Sequence, residues 1–285
     1  NPGSCIKGAT VYMGLSEGVV KPGETIMDEV MDINGEEFAS FENHGPVDDV
    51  RALEVSSNVY MFHVAIRLGG DVYQKGQPLN IADVQGTHKK MEQYYSMFGL
   101  GNKTNLDIPG EVSGYMGNVM LPGQLLNYSI GQLDMYTPMQ LLQYVSVIAT
   151  DGRMYQPHFL EYAKEVGGDE IFDVYGKHLE STLPEQNEAY LQRVREGFRA
   201  CVTSGNCGDA LKDMEVPMAA KTGTAEVETV WTTANLLGFG PYDDPTVAFA
   251  CSSPTSSVNS ESVGENICGA QVVGPVLNKY FELYP

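Results

Sequence analysis

Residues 219–227 read AAKTGTAEV. Small apolar residues lead into Lys221, and Gly223 stands between two β-branched threonines, Thr222 and Thr224. The pattern predicts a strand over 216–227, yet a glycine weakens a strand interior unless another backbone must come close to it. A peptide adding to this strand through main-chain hydrogen bonds would need that clearance. Lys221 and the hydroxyls of Thr222 and Thr224 could then meet the peptide's carboxylate. The competing reading is an ordinary strand with an exposed lysine.

Two more strand patterns follow, TANLLGFGPY at 233–242 and PTVAFACSSP at 245–254, and ENICGAQVVGPVLNKYFELY at 265–284 closes as a helix interrupted by glycines. Upstream the chain reads as helical. VDDVRALEVSSNVYMFHVAIRLGG (47–70) repeats apolar residues three and four apart, with a break at its serines, and KKMEQYYSMFGLG (89–101) is a further helix. TPMQLLQYVSVIATDG (137–152) has Thr137 as cap, Pro138 at the first helical position and Gly152 at the exit. PEQNEAYLQRVREGFRACVTSG (184–205) is amphipathic, whereas 101–124, dense in Gly, Pro and Asn, reads as loop. Helices in the middle and strands near the end predict an α+β fold, a sheet covered by helices beside an all-helical part.

The start of the chain, NPGSCIKGAT, predicts a helix from Ser4 to about Glu17. Lys7 is its one charged side chain before Glu17, and its neighbours leave no wide polar face, so the helix should be buried with the amine inside. Ser4 and Lys7 share one face, and a desolvated amine favours its neutral form, which can take a proton from a hydroxyl. The helix N-terminus adds free N–H groups where an oxyanion could form. The alternative makes Ser4 a cap and sends Lys7 to the surface. Ser56-Ser57-Asn58 lies at a break between helical segments, where a serine can point into a cavity, although Ser204-Gly205-Asn206 and Ser257-Val258-Asn259 carry the same spacing.

The 285 residues carry 17 Lys and Arg against 37 Asp and Glu, a formal charge of −20, which repels phosphate backbones and argues against nucleic acid as a partner. No apolar run is long enough to span a membrane and no leader opens the chain. The five cysteines lack the paired spacings of a zinc site and read as buried thiols, with a Cys201–Cys207 disulfide as the lesser alternative. No histidine shows ligand spacing, so no metal is expected.

Taken in order, Ser4-x-x-Lys7, Ser56-x-Asn58 and Lys221-Thr222-Gly223 resemble the signature of the serine acyltransferases that react with penicillin. PGSCIK, MFGLGNKTNLDIPGE and NYSIGQLDMYTPMQLLQYVSVIATDGRMYQPHFL extend the resemblance over nearly the whole chain, and it is best to the class B high-molecular-mass penicillin-binding proteins. Cys5 and Gly8 stand where that family more often has threonine and proline. The resemblance implies one transpeptidase domain over 1–285, with the first two strands of a five-stranded antiparallel sheet, a membrane anchor and a further module lying upstream. It implies a peptidoglycan D,D-transpeptidase at the extracytoplasmic face of a bacterial membrane, with cell-wall synthesis proteins as partners, β-lactams as inhibitors and no organic cofactor.

In the implied mechanism Ser4 attacks a stem peptide ending in D-Ala-D-Ala, Lys7 takes the proton and Ser56 relays one to the departing D-alanine. Asn58, Lys221, Thr222, Gly223 and Thr224 bind the peptide, and the N–H groups of Ser4 and Thr224 receive the oxyanion. Rival readings are a serine β-lactamase, disfavoured because Ser57 stands where class A members usually have aspartate, and a β-lactam sensor or silent binding module.

Overall fold

The computed structural model describes residues 1–169, 171–207, 210–228, 231–257 and 264–284. Val258 and Asn259, which complete one of the Ser-x-Asn matches, lie outside them. A 3-10 turn, Gly3–Ile6, runs into α1 (Lys7–Ser16). Four short strands follow, β1 (Ile26–Asp28), β2 (Met31–Ile33), β3 (Glu36–Phe38) and β4 (Gly45–Val47), then α2 (Asp49–Glu54), α3 (Asn58–Leu68), α4 (Val84–Ser96), α5 (Pro122–Ser129) and α6 (Pro138–Ala149). After β5 (Arg153–Tyr155), β6 (Tyr162–Lys164), β7 (Ile171–Val174) and β8 (Leu179–Thr182) come α7 (Glu188–Thr203), β9 (Ala219–Glu228), β10 (Trp231–Gly240) and β11 (Val247–Ser257). A π-helical stretch, Gly264–Val273, leads into α8 (Gly274–Leu283).

The late strands form an antiparallel sheet in the order β11-β10-β9, with Lys221 opposite Leu237 and Gly223 opposite Asn235. On one face Ala219, Leu237 and Phe239 join the large core built by α1, α3 and α6. On the other, Ala220 and Leu236 pack with Val202 of α7, Val273 and Leu277. β9 is thus an edge strand within this sheet, lying against the 3-10 turn that carries Ser4.

The α6 signals act as read from the sequence. Thr137 Oγ1 accepts from Gln140 N at 3.2 Å, and Gln140 Oε1 accepts from Thr137 N at 2.8 Å, a reciprocal cap. The break at the serines separates α2 from α3. By contrast, α5 begins at Pro122, inside the stretch that reads as loop, and the paired strands β1–β4, β2–β3, β5–β8 and β6–β7 show no period, because three or four residues are too few, although Asn34-Gly35 is the turn signal of the β2–β3 hairpin.

The cysteine expectation needs correction. Cys201 pairs with Cys207 and Cys251 with Cys268, with Cα–Cα distances of 5.2 and 5.6 Å, and Cys5 alone is a free, buried thiol. Spacing along the chain hid the second bridge, since the fold brings β11 and the π-helical stretch together across 17 residues.

Candidate active site

The first helical reading also changes in detail: Ser4 sits inside the 3-10 turn and α1 begins at Lys7, whose N–H donates to Ser4 O. In such a turn residues i and i+3 stack, so Ser4 and Lys7 share a face. Three neighbours clamp the turn. Gly3 N donates to Gly131 O at 3.0 Å, and the Asn235 amide on β10 donates to Asn1 O at 3.0 Å and Pro2 O at 3.2 Å. Asn235 Oδ1 is itself held by Ser252 Oγ of β11 at 2.6 Å. From the third side β9 presses in: a Cβ on Gly3 would lie 2.5 Å from Thr224 O.

Gly223 is therefore needed for a different reason than the sequence suggested. A Cβ there would sit 2.2 Å from Pro2 O and 2.8 Å from Cys5 N, so the backbone that comes close is the chain's own Ser4 turn. Both departures at the motif have packing reasons. The Cys5 thiol donates to Lys221 O at 3.3 Å, and a side chain on Gly8 would meet Tyr144 Oη at 2.6 Å.

Lys7 does not reach the surface. It is fully buried, and its Nζ donates to Ser56 O and to Asn58 Oδ1, each at 2.6 Å, while lying 3.3 Å from Ser56 Oγ. Lys221 is equally buried, so the exposed-lysine reading also falls; its Nζ donates to Ser56 Oγ at 3.0 Å and Thr222 O at 3.2 Å. Ser56 Oγ thus stands between two amines. Its backbone has φ +60°, a conformation that costs a non-glycine residue about 1–2 kcal/mol, so the surrounding bonds must hold it there.

Burial, then the charge of Lys221, holds Lys7 well below the usual lysine range, with Asp28 pulling the other way. Burial pushes Lys221 down to about 8, opposed by Cys5, whose own thiol burial pushes up to about 12. One proton between two close amines rests on Lys221. A neutral Lys7 has two N–H donors, both spent on Ser56 O and Asn58 Oδ1, and its lone pair is left to accept a proton.

Three motifs distant in sequence thus converge. The family described as penicillin binding protein transpeptidase domain matches residues 1–272. This chain belongs to that family. The class B character read from the sequence stands with it. Penicillin-binding protein 2A of Bacillus subtilis is 35% identical, over 99% of this chain and 41% of its own length. Peptidoglycan D,D-transpeptidase MrdA of Acinetobacter baumannii is 26% identical, over 87% of this chain and 38% of its own. Among solved structures, penicillin-binding protein 2B of Streptococcus pneumoniae strain R6 superposes with a TM-score of 0.89 at 26% identity, covering all of this chain and 48% of that one. The transpeptidase-family chain thus spans less than half the length of these relatives.

Three residues of the site escaped the motif reading. Asn235 is a polar residue set among Ala234, Leu236 and Leu237, a signal that was available, and the structure buries it. Asn206 Oδ1 accepts from Thr222 Oγ1 at 3.4 Å, so Ser204-Gly205-Asn206 borders the site by its asparagine, beside the Cys201–Cys207 bridge. Asp28 has no signal in sequence at all. Among the described residues no helix is long and apolar enough to cross a membrane.

Proposed function

We propose that this chain is the acylating domain of a peptidoglycan D,D-transpeptidase. The donor strand of a stem peptide ending in D-Ala-D-Ala lies along β9, its carboxylate at the hydroxyls of Thr222 and Thr224 with the Lys221 charge behind them. Ser4 Oγ attacks the penultimate carbonyl, and the lone pair of Lys7 takes its proton. The N–H groups of Ser4 and Thr224 hold the oxyanion, a contact worth about 3–4 kcal/mol per donor. As the amide bond breaks, Ser56, hydrogen-bonded to both amines, passes its proton to the leaving D-alanine and takes in its place the one that Lys7 accepted. An amine from a second stem peptide then takes the acyl group from Ser4, which regains its proton.

The observation that carries this reading is Ser56 Oγ between Lys221, at 3.0 Å, and a Lys7 whose other bonds go to carbonyl oxygens. Asn58 gives its oxygen to Lys7 and one N–H to Ala39 O at 3.1 Å, which leaves one N–H for the donor amide. Gly223 serves by letting β9 lie against the Ser4 turn. The printed names of relatives, penicillin-binding protein and D,D-transpeptidase, support the same reading. With it go β-lactams as inhibitors, a place on the extracytoplasmic face of a bacterial membrane, upstream strands completing the sheet, and cell-wall synthesis proteins as partners.

A labelled penicillin tests it. One equivalent of label per chain, absent from a folded Ser4→Ala variant, is the expected result. Labelling of that variant would overturn the assignment, and continued hydrolysis by the wild type would turn it into a β-lactamase.

A further inference from the structure

Asp28 ends β1 opposite Gly45 of β4 and is 1% exposed. A buried carboxylate needs compensation, and among the described residues no cation lies within ion-pair distance of this one. Two hydroxyls serve instead: Oδ2 accepts from Ser40 Oγ at 2.6 Å and from Ser57 Oγ. Each passes the constraint onward. Ser57 Oγ accepts from Tyr60 N at 3.0 Å, and Ser40 Oγ accepts from Asn58 N at 2.9 Å and Val59 N at 3.3 Å. The open N–H groups at the start of α3 are thereby tied, through two serines, to one carboxylate. The residues so tied flank Ser56 and include Asn58, which are the two that hold Lys7.

We infer that Asp28 is a positioning residue for acylation: through Ser40 and Ser57 it fixes the strained 56–58 turn, and its negative charge faces the buried amine of Lys7. The inference rests on the proposed role of Lys7 as the base. Lys7 is faced by Asp28 from β1 and by Lys221 from β9, Cys5 of its own turn acts on Lys221, and Tyr144 of α6 lies beyond Gly8. From α2, α3, α4 and α7, which also pack on α1, no ionised side chain among the described residues acts on it. Two positive charges without Asp28 would repel through a dry interior, so the acid tempers how far the amine's proton affinity falls. It does so without contacting the amine, leaving the lone pair free, whereas a direct ion pair would keep Lys7 protonated.

The test is the pH profile of acylation by a fluorescent penicillin, measured on the full-length protein between about pH 4 and pH 9. In Asp28→Asn the charge goes and Lys7 loses its proton more easily, so the acid limb is expected to move down by about 1 pH unit. Asp28→Glu should bring the limb back towards wild type. Ser40→Ala leaves Ser57 Oγ on the carboxylate and frees Asn58 N and Val59 N, so the plateau should fall about 10-fold with the limb unmoved. An acid limb in folded Asp28→Asn that coincides with wild type would overturn the inference. If Asp28→Asn does not fold, Ser40→Ala decides, and an unchanged plateau overturns it. Wild type unlabelled at every pH would instead remove the parent reading, and this inference with it.

Discussion

The two sides of the cleft hold a lysine each, equally buried, and treat it in opposite ways. On the helical side Lys7 meets two carbonyl oxygens and a nearby acid, and titrates well below the ordinary lysine range; on the sheet side Lys221 has a hydroxyl and one carbonyl, and titrates at about 8. Burial penalises both ammonium ions, so burial cannot tell them apart. What separates them is order: once Lys221 keeps its charge near neutrality, its field acts on Lys7, and the neutral amine has little effect in return. Two residues of the same type can therefore differ in charge on either side of one hydroxyl, that of Ser56.

The largest effect should come from removing the base. Lys7→Met is expected to slow acylation about 10³–10⁴-fold, as read by stopped-flow labelling, with the fold retained because an apolar chain replaces a buried amine. Little change would mean that Lys221 or solvent takes the proton and that the two sides are not distinct.

Gly223→Ala tests the contact between the sides. With a Cβ 2.2 Å from Pro2 O, the variant should lose about 1–3 kcal/mol in denaturant melts and label far more slowly. Gly176→Ala, with open space around it, should leave both unchanged.

Lys221→Met sharpens the comparison through stability. In the fold this group titrates at about 8, against 10.5 for an ordinary lysine. Below about pH 8 both states carry the charge and the folded one bears a penalty of about 3 kcal/mol. Between about 8 and 10.5 the folded lysine is neutral while the unfolded one still binds its proton, so wild-type stability should rise with pH across that window. The variant should be more stable than wild type at pH 7, by about 1–3 kcal/mol since two hydrogen bonds are also lost, should lack the rise, and should label more slowly. A variant less stable at pH 7 would show that those bonds outweigh desolvation.

The smallest effect marks the edge of the comparison. Thr137→Ala removes a cap on α6, remote from both amines, and should cost about 1 kcal/mol in melts with no change in labelling rate. A fall in that rate would mean that α6 supports the site through Tyr144 and Gly8.

Much of this molecule was legible in its residues. Periodicity and caps gave α6, α7 and the three late strands, and the absence of any polar face around Lys7 gave its burial. The motif residues were found because three short patterns, each common by itself, stand in an order and at spacings that a family resemblance explains. The short strand pairs show no period, since their segments are too brief to carry one, and only a turn signal such as Asn34-Gly35 could have marked the β2–β3 hairpin. Nor was the Cys251–Cys268 bridge, whose partners only the sheet brings together.

By itself the chain determined which side chains to expect at a site, because local patterns of burial, breaks and β-branching are written in consecutive residues. Only the tertiary structure decided what each would be: which amine stays neutral, why position 223 must lack a side chain, and that Asp28 stands behind Ser57. Those are properties of distance between segments far apart in the chain, and electrostatic and steric energies depend on distance in space, which no stretch of sequence contains.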